Sequence, residues 1–194
     1  LFYKENKSRN DFFFNLYGKE ELIKKELEKY KIPNSFYKIF DTSSVVSDEE
    51  TPLTAIKNSK NSSMWNSINA QHNDNANISL SAGNTGVLFV ISKMLLKTIE
   101  GVSKPALAGL WPNKKGVSIV LDLGANIECD EKNLIDFSEM GSALFKSLYQ
   151  NETPTVSLLN IGSEEIKGTE DIKKAYSKLK DISKHGDFIF KGYI

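Results

Sequence analysis

The chain has 194 residues, 40% of them hydrophobic, with 25 Lys and Arg set against 25 Asp and Glu. That is enough for one sizeable core, and the balanced charge excludes a global field that would recruit nucleic acid. No apolar run approaches the roughly eighteen residues of a membrane span, and the single cysteine, Cys129, excludes an internal disulfide and a cysteine metal cluster. This agrees with a reducing, cytoplasmic setting.

The first ten residues, rich in Lys and Asn, read as the tail of a helix or a loose end. Phe12 to Tyr17 predicts a short strand closed by Gly18, and Leu22, Ile23 and Leu27 then share one face of a Lys- and Glu-rich helix. Pro33 and Asn34 end that helix before a second strand over Phe36 to Phe40. Thr51-Pro52 puts a hydroxyl at a cap and proline at the first helical position, which predicts a helix carrying Leu53, Ile56, Met64 and Ile68. Lys57, Lys60, Ser62 and Ser63 fall inside it. Two cations and two hydroxyls fit a solvated helix face or a seat for an anion. Gln71 to Asn77 reads as a polar loop.

The run Ile78-Ser79-Leu80 leads into Ser81-Ala82-Gly83-Asn84-Thr85-Gly86 and then into a helix with Val87, Leu88, Val90, Ile91, Met94 and Leu95 at helical spacing. The pattern is strand, tight polar turn, helix, with Asn84 or Thr85 as the cap. A helix start presents unpaired N–H groups and partial positive charge, so this turn suits a phosphate or a developing oxyanion. Taken alone, it fits a plain strand-to-helix loop better.

Gly101, Pro105 and Pro112 punctuate a connection with a short strand candidate over Ala106 to Leu110. Val117 to Leu121 reads as a buried strand ending in Asp122-Leu123-Gly124-Ala125-Asn126, and Leu134, Phe137, Met140, Leu144 and Leu148 mark a long helix. Thr155 to Leu159 repeats the strand, closing in Asn160-Ile161-Gly162-Ser163-Glu164-Glu165, and Ile172, Ala175, Tyr176 and Leu179 mark the next helix. A last strand is expected over Phe188 to Ile194. The start at Leu1 and the stop on that strand read as a fragment cut at both ends.

Strands alternating with helices imply right-handed crossovers and a mostly parallel sheet, so one α/β domain over 1–194 is expected. In such sheets ligands bind beyond the carboxyl ends of the strands, where the turns at Gly83, Gly124 and Gly162 are expected to converge. The chain has no P-loop, no G-x-G-x-x-G, no G-x-S-x-G and no H-E-x-x-H. His72 and His185 sit in polar surroundings, and Cys129 lies between Glu128 and Asp130, which disfavours its thiolate. What remains is an inventory of main-chain amides and small hydroxyls with Asn84, Asn126 and Asn160, the carboxylates Asp122, Glu164 and Glu165, and the lysines Lys57, Lys60 and Lys167. Such groups can orient an anion and steady a tetrahedral oxyanion without a metal, a cofactor or a covalent intermediate. They fit transfer to or from phosphate.

Ser81 to Gly86, Lys104-Pro105-Ala106-Leu107, Val120 to Asn126, Met140-Gly141 and Leu159 to Gly168 together resemble the bacterial phosphate acyltransferases of the PlsX type, with a further match at Ser62-Ser63-Met64. The resemblance covers nearly the whole chain, although one family motif at each end has no match here. It implies a three-layer α/β/α fold related to phosphotransacetylases and isocitrate dehydrogenases. It also implies transfer of a long-chain acyl group from acyl carrier protein to inorganic phosphate, giving acyl phosphate for phospholipid synthesis.

By the same resemblance the enzyme is a cytoplasmic homodimer with loose attachment at the membrane, where an acyltransferase uses its product. Asn84, Thr85 and Lys167 are the expected catalytic groups. Lys57, Lys60, Ser62, Ser63, Ser81, Gly83, Gly86, Asp122, Gly124, Asn126, Asn160, Gly162, Glu164, Glu165 and Gly168 are the expected phosphate- or acyl-binding groups. The isolated 194 residues are not expected to turn over. Two alternatives stand beside this reading: a phosphotransacetylase acting on short acyl-coenzyme A, and a non-catalytic domain that binds a phosphate ligand. Lys93, Lys97, Lys104, Lys114 and Lys115 offer a basic patch for an acidic carrier protein, or an ordinary solvated surface.

Overall fold

The computed structural model describes residues 2–6, 9, 11–51, 54, 57, 59–114, 116–164 and 167–194. The chain forms two compact units, Leu1–Lys97 and Thr98–Ile194.

In the first unit a short helix α1 (Phe2–Glu5) leads to strand β1 (Phe14–Gly18), helix α2 (Glu20–Lys29) and strand β2 (Tyr37–Asp41). β1 and β2 pair in parallel from Phe14 opposite Tyr37 to Gly18 opposite Asp41. Lys19 gives α2 no side-chain cap, and Asp41 at the end of β2 supplies one by accepting from Glu20 N at 2.9 Å. The strand and the helix start therefore hold each other. Helices α3 (Ser63–His72) and α4 (Thr85–Leu96) follow. Their apolar stripes meet in a core of Val46, Met64, Ile68, Val87 and Ile91, with Trp65, Leu88 and Leu95 packed against it. Val87 and Ile91 are fully buried, each burial contributing about 1.5–3 kcal/mol.

Two expectations for this unit change. The helix expected to run from Thr51 through Ile68 is broken at 59–62, where Asn61 takes a left-handed φ of 73°, and α3 starts afresh at Ser63. Leu53 and Ile56 lie outside the described residues. Ile78 to Leu80 joins no ladder among the described residues, and Ile78 and Leu80 are 78% and 83% exposed.

The second unit opens with an antiparallel hairpin, β3 (Gly109–Asn113) and β4 (Gly116–Val120). The strand expected at Ala106 to Leu110 is thus shifted, and Pro112 lies inside it; β3 is paired on one side only, where a missing N–H is tolerated. Helix α5 (Glu131–Leu148) is closed by a capping box between Asp130 and Asn133. Gly141 allows close packing there, since a Cβ would lie 3.2 Å from Leu121 Cδ1.

Strand β5 (Thr155–Leu158), helix α6 (Glu170–Ile182) and strand β6 (Ile189–Tyr193) complete the unit, with β5 and β6 parallel. Leu158, Ala175, Leu179, Phe188 and Tyr193 form its core. A helix separates β1 from β2 and another separates β5 from β6, and both of these pairs are parallel, which is an α/β fold. Among the described residues no helix is long and apolar enough to cross a membrane.

Candidate active site

In the first unit the turn 81–86 is built on α4. Asn84 is the cap, its Oδ1 accepting from Val87 N at 3.1 Å. Its Nδ2 donates to both Asp48 O and Glu50 O at 3.1 Å, so the side chain straps the 48–50 loop to the start of the helix. Ser81 Oγ accepts from Gly83 N at 3.2 Å and closes the turn. Gly83 lies close to α3, since a Cβ there would come 3.1 Å from Met64 Cε.

Thr85 and Gly86 are exposed at the first positions of α4, where main-chain N–H groups have no partner within the helix. No carboxylate lies in that first turn. α2 places Glu20 and Glu21 there, α5 places Glu131, and α6 places Glu170 and Asp171. These three helices offset their own dipoles; α4 carries no carboxylate of its own in its first turn, and the Asn84 strap brings the main chain of Asp48 and Glu50 to it.

The start of α3 also lacks a carboxylate, but it is closed off. Ser62 is 1% exposed, and its Oγ accepts from Trp65 N at 3.1 Å as the cap. Ser63 N donates to Ser44 O at 3.1 Å. Ser62 and Ser63 thus anchor α3, while Lys57 and Lys60 are exposed. Thr42 and Ser59, which the sequence did not single out, are buried with hydroxyls that have no hydrogen-bond partner.

In the second unit the turn after β4 is laced by one carboxylate. Asp122 Oδ1 accepts from Leu107 N at 2.7 Å, and Oδ2 accepts from Asn126 N at 2.7 Å and Asn126 Nδ2 at 3.1 Å. Asn126 Nδ2 also donates to Pro105 O at 2.9 Å. Gly124 sits exposed at the tip with φ 78°, and a Cβ there would meet open space. Nearby Cys129 is half-buried. Burial pushes its thiol up, Asp122 and Asp130 add to that, and Lys104 opposes it. This thiol is not poised as a nucleophile.

The turn after β5 folds back on itself. Asn160 Nδ2 donates to Lys167 O at 3.1 Å, and its buried Oδ1 has no partner. A Cβ on Gly168, whose φ is 94°, would come 2.5 Å from that oxygen. Gly162 is equally confined, by Glu164 Oε2 at 2.6 Å and Lys167 Cδ at 2.9 Å from a Cβ. Lys167 Nζ pairs with Glu164 Oε1 at 2.8 Å, and this hydrogen bond holds the Glu164 carboxyl below its ordinary range. Glu165 lies outside the described residues, as does Lys115 of the basic patch. Lys104 Nζ donates to Glu128 O at 2.7 Å.

The fold is that of an α/β protein, with one glycine turn after the parallel strand β5, one after the antiparallel strand β4 and one at the start of α4. The chain is 52% identical over 188 residues to a phosphate acyltransferase of Pelagibacter ubique, a match covering 97% of this chain and 56% of that protein. It is 40% identical over 185 residues to a phosphate acyltransferase of Bartonella henselae, covering 95% of this chain and 52% of that one. The chain spans about half the length of the curated relatives it matches.

Among solved structures, the EutD phosphotransacetylase from Staphylococcus aureus matches 98% of this chain and 63% of its own at a TM-score of 0.67, with 15% sequence identity. That likeness establishes the fold. The model of a family described as "Fatty acid synthesis protein" matches residues 3–194, and the chain belongs to that family.

Proposed function

We propose that this chain is part of an acyltransferase that moves a long-chain acyl group from acyl carrier protein to inorganic phosphate. A phosphate oxygen attacks the thioester carbonyl carbon, a tetrahedral oxyanion forms, and the carbon–sulfur bond breaks. The proton of hydrogen phosphate goes to the departing sulfur, leaving acyl phosphate and the free carrier thiol. The observation that carries this reading is the start of α4, with Thr85 and Gly86 exposed and no carboxylate of the helix's own in its first turn. Those N–H groups would meet the charge that phosphate brings and the charge that grows on the carbonyl oxygen.

Asn84 supports this seat by fixing the turn, since both its oxygen and its nitrogen are engaged by main chain. Lys57 and Lys60 add long-range attraction for the anion. For the second unit the proposal is narrower: Lys167 offers an anion a cation whose present counter-ion is Glu164. A homodimer, a cytoplasmic location and loose contact with a membrane acyltransferase that consumes the acyl phosphate belong to the same proposal. The relatives' name, phosphate acyltransferase, supports the reaction class.

Titration with inorganic phosphate tests the seat. The amide resonances of Thr85 and Gly86 are expected to shift saturably, and the shifts to weaken when Lys57 and Lys60 are both changed to Gln. Absence of any phosphate-dependent shift at those two amides would count against it.

A further inference from the structure

α4 departs from the charge pattern of its fellow helices. α2, α5 and α6 each interleave lysines with carboxylates, and Lys24 pairs with Glu20, Lys132 with Asp136 and Lys173 with Glu170. α4 has Lys93 in its last turn and Lys97 at its C-cap, and no acidic residue anywhere along it. Both lysines are exposed, and among the described residues neither has a carboxylate partner. Like charges four residues apart destabilise a helix taken alone, so this pair runs against local preference.

The surface around the two lysines is apolar. Met94 and Leu96 are 45% and 37% exposed, and Phe89 and Val90 are half-buried. A solvated helix face mixes both signs of charge, whereas unpaired cations among exposed apolar side chains make a surface for an acidic partner. Lys104 Nζ is held by Glu128 O at 2.7 Å, and both Lys104 and Lys114 belong to the other unit. The face is therefore that of α4 alone.

Two acidic surfaces would suit cations of this kind. An anionic membrane is recruited by clusters of about four to eight cations, and α4 offers two. A folded acidic protein needs fewer, because its carboxylates stand at fixed positions that select a register. The candidate anion seat lies on the same helix. Gly86, Val90 and Lys93 follow at spacings of four and three, so they share one stripe, with Lys97 a turn further on. The rise of the helix puts Lys97 about 16 Å from Gly86 along the axis. A membrane lying on that stripe would cover a seat that must take phosphate from water. A carrier protein holds its thioester at the end of a long flexible arm, so it can dock at one end of α4 and react at the other.

We propose that Lys93, Met94, Leu96 and Lys97 form the docking face for the acidic carrier protein, and that its arm runs along α4 past Val90 to the seat. The inference rests on the acyl-transfer reading, which supplies both the partner and the seat. The two ammonium groups meet carboxylates of the carrier protein, and Met94 and Leu96 meet its apolar side chains. Docking sets the register, and the arm delivers the thioester carbonyl to the N–H groups of Thr85 and Gly86.

The test is an NMR titration of the nitrogen-15-labelled chain, without phosphate, using acyl carrier protein in two forms, one bearing the arm and one lacking it. Both forms are expected to shift the amides of residues 93–97 saturably, and only the armed form to shift those of Thr85, Gly86 and Val90. Added salt should weaken binding. Lys93→Glu with Lys97→Glu should weaken it at least tenfold with an unchanged circular dichroism spectrum. The milder pair Lys93→Gln with Lys97→Gln should weaken it at least threefold, and Lys93→Arg with Lys97→Arg should retain it. Lys25→Glu, at an exposed position of α2, should leave it unchanged.

No binding, binding indifferent to both the Glu and the Gln pairs, or shifts at Thr85 and Gly86 with both forms or with neither would each overturn the proposal. So would charge reversal that releases phosphatidylglycerol vesicles and leaves carrier-protein binding intact. A chain that takes phosphate at Thr85 and Gly86 but ignores the carrier protein contradicts the docking face alone. One that binds the carrier protein through residues 93–97 and takes no phosphate contradicts the anion seat instead.

Discussion

Asp122 Oδ2 accepts two hydrogen bonds from Asn126, at 2.7 Å from its main-chain N–H and 3.1 Å from its side-chain amide. With Leu107 N on Oδ1, the carboxylate joins three segments of the second unit through N–H donors. It is a positioning residue for the Gly124 turn, because its oxygens are already occupied. Asp122→Ala should lower the unfolding free energy by about 2 kcal/mol, since hydrogen bonds to a charged group contribute about 1.5–3 kcal/mol. Asp122→Asn, which keeps one acceptor, should cost about half as much. Urea denaturation followed by circular dichroism measures both.

Asn84 makes a separable prediction in the first unit. Asn84→Ala loses the cap, at about 1 kcal/mol, together with the strap to Asp48 and Glu50. In a catalytically complete protein it should cut acyl-phosphate formation at least tenfold. Asn84→Asp retains the cap but brings a negative charge to the open helix start. It should raise the KM for phosphate more than it lowers kcat, and steady-state kinetics with varied phosphate would show the split.

Two glycines with similar backbone angles should respond differently to alanine. Gly124 has φ 78° and open space at the Cβ position, so Gly124→Ala should cost only the left-handed penalty of about 1–2 kcal/mol. Gly168 has φ 94° and a Cβ that would strike Asn160 Oδ1 at 2.5 Å. Gly168→Ala should therefore lower the melting temperature more than Gly124→Ala and release the Asn160 side chain from Lys167 O. Thermal melts of the two variants make the comparison.

The Glu164–Lys167 pair fixes the sign of a pH effect. The folded carboxyl titrates below its ordinary range, chiefly because Lys167 donates to it. Its contribution is present above the ordinary carboxylate range and is lost as pH falls through the lowered folded value. Carbon-13 NMR titration of Glu164 should show the depressed midpoint, and Lys167→Gln should raise it toward the ordinary range. The same substitution should cut acyl transfer at least tenfold if Lys167 serves the anion.

Where one face of an element is buried, its periodicity was legible in the residues. The stripe Val87 and Ile91 on α4, the run Leu134 and Phe137 on α5, and Ala175 and Leu179 on α6 all fall where spacing alone puts them. The break at 59–62 was not legible, because Ile56 and Met64 keep helical spacing across it and a left-handed Asn61 leaves no mark in an apolar pattern. Pro112 read as punctuation because its tolerance in a strand depends on β3 having one free edge, a property of pairing rather than of local sequence.

The site divides in the same way. Turn composition revealed the glycine loops, and hydrogen-bond direction then sorted their members. Ser62, Asn84 and Asp122 are engaged by main chain, whereas Thr85, Gly86 and Gly124 stay open. The Thr42 and Ser59 hydroxyls are buried, and no spacing rule announces it.

The central claim is acyl transfer to phosphate. The most direct measurement joins this chain to the unmatched remainder of the Pelagibacter relative, supplies a long-chain acyl thioester of acyl carrier protein with inorganic phosphate, and traps acyl phosphate with hydroxylamine. The account predicts phosphate-dependent acyl hydroxamate from the carrier-protein thioester and little or none from acetyl-coenzyme A. Equal or greater product from acetyl-coenzyme A, or phosphate binding with no acyl transfer from either donor, would contradict it.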